Sequence, residues 1–263
     1  MAVNFNPKKY WNDRLKENFD LIGVGDISLT MNYNIWSYKV TRHRLKKIFQ
    51  QYLPKKKGSV LDIGSGTGFV IEIWQQFGVE VSGIDISAIA VNKLSEKFPM
   101  HKFHELDVGT QELPFVDDCF QVVSASSVLY HVLEDAALNQ LLQSVHRVLQ
   151  PGGYFIFSDN FIHGNSLNIT HQKCRNLEDY EKALKQNGFE ITNRVANYVL
   201  FNDPVDASGK FYPRIWNWLT RLTKKWKWFD SIIWPLLFPL ELLLTSILKE
   251  SPAQEIMICK AIK

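Results

Sequence analysis

The sequence predicts an α/β fold, a parallel sheet with helices on both faces. Three observations carry that prediction. Apolar, strand-like runs alternate with helix-like stretches from residue 59 to residue 158. The first run ends in an acid followed by three glycines at every second position, Asp62-Ile63-Gly64-Ser65-Gly66-Thr67-Gly68. Two later runs also end in acids, at Asp85 and Asp107. Ligands of such sheets bind at the carboxyl ends of the strands, where the order of the strands reverses, and all of these features lie at such ends.

The elements follow in order. Tyr10 to Phe19 and Trp36 to Tyr52 carry apolar residues at helical spacing, with Gly23-Val24-Gly25 between them. Val60 to Ile63 is short, apolar and suited to a buried parallel strand over 59–63. The glycines that follow permit positive φ and carry no Cβ to hold a ligand away. A helix over 67–77 then places this loop at a helix N-terminus, where backbone N–H groups are free. Strand 79–84, helix 87–97, strand 102–106, strand 120–125, helix 135–149 and strand 153–158 continue the alternation. Pro151-Gly152-Gly153 marks the turn into the last of these. Leu177 to Asn187 reads as a helix stopped by Gly188, Phe189 to Leu200 as a strand, and Glu255 to Ile262 as the final strand.

Between those last two strands lie 54 residues, Phe201 to Gln254, far beyond an ordinary connection. The organisation is therefore a helical cover over 1–57, a core over 58–200, an insertion over 201–254 and a closing strand over 255–263. The insertion holds Trp216, Trp218, Trp226, Trp228 and Trp234, interleaved with Arg221, Lys224, Lys225 and Lys227. A long apolar run, Ile232 to Leu244, follows. It nearly reaches the ~20 residues of a transmembrane span, but Pro235, Pro239 and Glu241 count against one, and a span would sever the last strand from its sheet. Two readings remain and can coexist: a helical lid over the active site, and a peripheral membrane contact through 216–248 built on Trp and Lys, which favour the membrane boundary.

The chain has 263 residues, 46% hydrophobic and 22% charged, so it is long and apolar enough to bury a large core. A net charge of +3 does not call for nucleic acid. The basic clusters at Arg42–Lys47 and Lys55–Lys57 read as solvated faces. Cys119, Cys174 and Cys259 are scattered, with neither metal spacing nor a disulfide framework. Met1 to Lys9 lacks the apolar stretch of a signal peptide, and the expectation is a cytoplasmic protein, peripheral at the membrane if the insertion binds there.

The loop spacing narrows the ligand. A dinucleotide fingerprint has the form G-x-G-x-x-G, and here the third glycine comes one residue early. The Lys-Ser/Thr of a phosphate loop is missing as well. Asp85 follows Gly64 by 21 residues, at the end of the second strand, where an acid accepts hydrogen bonds from both hydroxyls of a ribose. Five segments together, V-L-D-I-G-S-G-T-G, G-I-D-I-S, E-L-D-V, V-V-S-A-S-S-V-L-Y-H-V and H-R-V-L-Q-P-G-G, resemble the class I S-adenosylmethionine-dependent methyltransferases. The resemblance runs from Ser59 to Asp159 and continues more weakly to the C-terminus. It implies a Rossmann-like sheet of seven strands with the final one antiparallel.

The same resemblance implies roles. S-adenosylmethionine would lie along Gly64, Ser65, Gly66 and Gly68, with Asp62 near its ammonium group, directly or through water. Asp85 would hold the ribose hydroxyls, Ile86 would pack on the adenine, Asp107 and the Val108 backbone would meet its amino group, and Ser126 would line the pocket. Tyr33, Tyr38 or Arg42 would reach the carboxylate, or these aromatics would simply pack α-helix against sheet. Asp62 and Asp107 also suit helix capping, whereas Ser87 is the better cap after Asp85. His131, after the fourth strand, is a candidate general base or a packing residue of its turn. His163 and Asp159 fall near the site with no motif behind them.

The leading expectation is methyl transfer to a small-molecule or lipid-like acceptor at oxygen or nitrogen, mainly by orientation in a closed site. No Asn-Pro-Pro-Tyr or Asp-Pro-Pro-Tyr motif and no appended RNA-binding module points to nucleic acid. The alternatives are a non-catalytic or membrane-associated binding protein on the same fold, and a nucleotide-dependent oxidoreductase.

Overall fold

The computed structural model describes residues 5–53, 58–169 and 171–263. The basic cluster Lys55–Lys57 lies outside them. Three helices open the chain: α1 (Pro7–Glu17), α2 (Leu21–Val24) and α3 (Met31–Tyr52). The core follows as β1 (Ser59–Ile63), α4 (Phe69–Gln75), β2 (Glu80–Asp85), α5 (Ala88–Lys97), β3 (Lys102–Glu105), β4 (Phe120–Ser126), a 3-10 turn at Leu129–His131, α6 (Asp135–Val148) and β5 (Leu149–Asp159). A two-stranded hairpin, β6 (Leu167–Ile169) and β7 (Gln172–Cys174), precedes α7 (Leu177–Gln186) and β8 (Phe189–Tyr198). The insertion forms α8 (Phe211–Lys225) and α9 (Lys227–Ile247), and β9 (Gln254–Ala261) closes the chain.

The main sheet has seven strands in the order β3-β2-β1-β4-β5-β9-β8, a Rossmann-like arrangement. Strands β1 to β5 pair in parallel, and β9 lies antiparallel between β5 and β8. Strand order reverses between β1 and β4, so the crevice opens beyond Ile63 and Ser126. The alternation of side chains divides the core into two layers. Val60, Val81, Val122 and Ile156 pack with Phe49 of α3, Trp74 of α4 and Leu94 of α5. Leu61, Ile84, Val123 and Phe155 pack with Leu142 of α6 and Tyr180 of α7. Two-sided burial explains the unbroken apolar character of these strands.

The main differences from the sequence reading are local. Thr30 caps α3 by accepting from the Tyr33 N–H, which starts that helix at Met31 instead of Trp36. The β6–β7 hairpin was not expected; its residues are too short and too polar to show a period. The larger correction concerns the insertion. Helices α8 and α9 do not form a lid, because they pack on α3 and the end of β8 and contribute no residue to the main cavity wall.

The reason is the polarity of α9. Its buried residues are Asp230, Trp234, Glu241 and Thr245, three of them polar. Asp230 Oδ1 accepts from the Thr30 hydroxyl (2.7 Å) and from Trp234 Nε1 (2.8 Å). Glu241 accepts from the Val199 N–H and the Leu200 N–H, both at 2.7 Å, and so satisfies two backbone donors where β8 ends. Around these bonds Tyr33, Phe201, Trp216 and Trp234 form a third apolar cluster.

A buried donor left unpaired costs roughly 1–3 kcal/mol. Glu241→Leu orphans two, so urea unfolding of that variant is expected to show a loss of about 3 kcal/mol. Leu236→Ser, on the exposed side of the same helix, is expected to stay within about 0.5 kcal/mol of the parent.

Candidate functional site

A cavity of about 680 Å³ lies over the carboxyl ends of β1 to β5, within the range of small-molecule sites. Its floor is Gly64–Thr67 after β1, Asp85 and Ile86 after β2, Leu106–Thr110 after β3 and Ser126–Val128 after β4. Tyr10, Trp11 and Arg14 of α1, Tyr33 and Tyr38 of α3, and His171 from the hairpin turn form the cover. From the insertion only Asn202, Asp203, Val205 and Gln254 reach the wall.

The loop after β1 is held by its neighbours. The N–H groups of Gly64 (2.7 Å) and Ser65 (3.0 Å) both donate to the Ile84 carbonyl, bending the chain sharply at the end of the strand. Gly64 has φ +71°, and a Cβ there would stand 2.3 Å from a Val128 methyl. Gly66 has φ +53°, and its N–H donates to Asp85 Oδ2 at 2.7 Å. Both positions need glycine, on conformation and on space. Gly68 lies outside the wall as the N-cap of α4, with φ +87°.

Three acids occupy three different settings. Asp62, in β1, is buried behind the loop and is not itself in the wall. Trp74 Nε1 donates to Ser124 Oγ (3.1 Å), whose hydroxyl donates to Asp62 Oδ1 (2.7 Å). Asp62 Oδ2 has no partner. Burial raises this carboxyl to about 7, and the nearby Ser124 and Ser65 hydroxyls oppose that only in part. Asp85 accepts at Oδ2 from Gly66 and at Oδ1 from the Ser87 N–H (2.9 Å), while Ser87 caps α5. Burial raises its pKa against those bonds. Asp107 closes a local turn by accepting from the Gly109 N–H (2.9 Å).

His131 lies in the wall, and its Nδ1 meets the His171 carbonyl at 3.0 Å. A carbonyl only accepts, so Nδ1 carries the proton and Nε2 keeps a free lone pair. Burial pushes this imidazole down to about 4, and the bond to His171 does not compensate. It is therefore neutral near pH 7. Trp11 meets it edge-on, with centroids 5.1 Å apart. The other sequence candidates disperse. Tyr33 lines the wall but donates its hydroxyl to the Phe201 carbonyl (2.8 Å). Tyr38 lines the wall with its ring against Phe69. Arg42 faces away from the cavity and pairs with Glu72 at 2.8 Å, because Glu72 on α4 offers the nearer carboxylate. Asp159 ends β5 behind the wall, bonded by the Tyr180 hydroxyl, and His163 pairs with Asp206 outside it.

Arg14 is the functional candidate that sequence reasoning missed. Its guanidinium stacks 4.9 Å over Trp11 and donates to the Ile22 and Gly25 carbonyls, at 3.0 and 2.7 Å. Its Nε remains buried and unpartnered. The only signal available was a charged residue on an amphipathic helix, which is common. Among the described residues the wall sets five carboxylates, Asp26, Asp85, Asp107, Glu134 and Asp203, against this single guanidinium. Such a wall suits a cationic ligand and is unfavourable to a pyrophosphate. The unpaired Asp62 oxygen and the glycine cradle fit S-adenosylmethionine, which carries an ammonium, a sulfonium and one carboxylate.

Comparison with known proteins agrees with this geometry. Residues 61–157 match a family model described as a methyltransferase domain. A ubiquinone/menaquinone biosynthesis C-methyltransferase UbiE from Campylobacter jejuni is 32% identical over 129 residues, 46% of this chain and 51% of that protein. The chain thus spans about half the length of the curated relatives it matches. Among solved structures, the [4+2]-cyclase SpnF aligns with a TM-score of 0.55 at 18% identity, covering 83% of this chain and 80% of that one. A putative methyltransferase from Bacillus halodurans aligns at 0.54 and 16% identity, covering 84% and 100%. At these identities the two structures establish the fold, which serves a cyclase as well as methyltransferases.

Asp62 binds its proton more tightly folded than unfolded, since burial lifts its carboxyl from an ordinary value near 3.8 to about 7. Its contribution to stability is thus greatest below the lower value and falls as pH rises through the upper one. Between pH 5 and pH 8 the stability of Asp62→Asn is expected to improve relative to the parent by about 2 kcal/mol, read from urea midpoints at each pH.

Proposed function

We propose that the chain is a class I S-adenosylmethionine-dependent methyltransferase acting on a small-molecule acceptor, a reading supported by the match of residues 61–157 to a methyltransferase-domain family model. The observation that carries this reading is the acid-rich wall over the glycine loop, backed by the half-paired Asp62 carboxylate. When bound, the cofactor supplies a methyl group activated on a sulfonium and displaced in line.

The residues around it bind and orient. Asp62, buried behind the loop, would answer the ammonium group, directly if the loop yields or through water. Arg14, the lone guanidinium of the wall, would take the carboxylate in place of Arg42. Asp85 has lone pairs left for the ribose hydroxyls after accepting from Gly66 and Ser87. Ile86 and Val108 line the cavity and would pack on the adenine, Asp107 would meet its amino group, and Ser126 would line the pocket. The covering helices exclude water, which sharpens every charge interaction inside.

Trp11, Tyr130, Val132 and Leu133 line the cavity near His131, and an acceptor seated against them would present a flat or lipid-like apolar body. His131 is too weak a base at about 4 to strip a proton from an ordinary alcohol. It serves instead as a neutral hydrogen-bond acceptor through Nε2. This favours an acceptor whose oxygen or nitrogen arrives already unprotonated, or readily becomes so. Orientation then supplies most of the rate.

Calorimetric titration tests the cofactor side. S-adenosylhomocysteine is expected to bind, NAD is not, and Asp62→Asn is expected to weaken binding by about tenfold, the loss of one charge-assisted bond. NAD binding without S-adenosylhomocysteine binding sinks the proposal. For the acceptor, methyl-labelled S-adenosylmethionine is incubated with the protein and a cell extract. Label is expected in the small-molecule fraction; label only in protein or nucleic acid contradicts the reading.

A further inference from the structure

Helix α9 is built inside out. Asp230, Glu241 and Thr245 face the protein with Trp234, while Trp228, Ile232, Leu236, Leu240, Leu243 and Ile247 face outward. The outward residues recur every three or four positions and are between 44% and 66% exposed. A surface helix of a soluble protein has the reverse arrangement. Helix α8 adds a second outward stripe, Phe211, Ile215 and Trp218, opposite its buried Trp216, Thr220 and Thr223. Two outward stripes of exposed large apolar side chains on adjoining helices point to an interaction site.

The exposed charges on the two helices are basic, with acids only at their borders, Asp203 and Asp206 before α8 and Glu250 after α9. From Ala207 to Lys249 the basic residues are Lys210, Arg214, Arg221, Lys224, Lys225, Lys227 and Lys249, all exposed. The acids in that stretch are Asp230 and Glu241, both buried and hydrogen-bonded. Exposed Trp218, Trp226 and Trp228 sit among the basic residues. Apolar side chains flanked by Trp and Lys match the boundary layer of a bilayer, and the uncompensated positive charge matches anionic headgroups.

We propose that the outward face of α8 and α9 docks on an anionic lipid bilayer, with both helices lying in the plane of the interface. Transmembrane insertion is incompatible with the fold, although α9 is long and apolar enough to span. It would strip Asp230 and Glu241 of their partners Thr30, just before α3, and Val199 and Leu200, just after β8, and pull β9 from between β5 and β8. A second copy of the chain is a poor occupant, because two such faces would bring seven positive residues against seven. The proposal is independent of which acceptor is methylated.

The test is co-sedimentation of the full-length protein with phosphatidylcholine vesicles and with vesicles containing about one third phosphatidylglycerol. Anionic vesicles are expected to bind at least about tenfold more protein, with the difference shrinking at about 0.5 M salt. Each basic residue near the surface contributes roughly fivefold, so Lys224→Glu with Lys225→Glu is expected to lower partitioning by about tenfold or more. Trp228→Ser, Leu236→Ser and Leu243→Ser combined are expected to abolish it while keeping the melting temperature and S-adenosylhomocysteine affinity of the parent. Equal or absent binding to the two vesicle types overturns the proposal, as does binding unaffected by the substitutions. A concentration-dependent dimer that the triple substitution dissolves also overturns it, because a second copy would then cover the face.

Discussion

Asp62 stands where the sheet meets the glycine loop, buried just behind the cavity wall. The stacked pair Phe49 and Trp74, with centroids 3.6 Å apart, fixes the indole whose N–H orients Ser124, and Ser124 in turn holds one oxygen of Asp62. The second oxygen is buried without a partner. A half-satisfied carboxylate in a core is costly in free energy, and a group that remains so is a candidate for function rather than for stability. The glycines are part of the same constraint: the loop must turn at once after β1, and any Cβ at Gly64 would collide with Val128. The floor of the site is therefore set by how the first strand ends.

The insertion solves a different problem with similar means. Its buried acids do not face a ligand. Glu241 is saturated by two backbone N–H groups at the end of β8, and Asp230 by Thr30 and Trp234. Burial lifts Glu241 to about 7 as it does Asp62, yet Glu241 is fully bonded and Asp62 keeps one oxygen without a partner. Partner count separates the two roles where pKa does not. Spending the polar residues of α9 on attachment leaves the leucines outside, and gives the chain an apolar face remote from its cavity wall.

Much of this was legible in the sequence. The alternation of runs gave the sheet, and Gly64, Gly66 and Asp85 pointed to the floor of the cavity, because backbone approach and strand-end acids leave short-range marks. Arg14, Trp11 and His171 left none. They converge on the cavity only through tertiary packing of α1 and of a hairpin too short to show a period. The same limit explains why Arg42 was offered for the carboxylate: spacing along α3 does not reveal that Glu72 on α4 has captured it. The helices of the insertion were expected over the site on hydrophobicity alone. Only the partners of Asp230 and Glu241 reveal which face of α9 turns inward.

In the proposed function Asp62 is the buried, partly protonated acid that answers the cationic cofactor. Proton release on ligand binding measures it directly. Calorimetry of S-adenosylhomocysteine binding at pH 7 in two buffers of different ionisation enthalpy gives the number of protons exchanged. With Asp62 near 7 in the free protein and ionised beside the ammonium group, about half a proton is released, and the release disappears in Asp62→Asn. Equal enthalpies in both buffers for the parent protein, or a release that persists in the variant, would contradict the account.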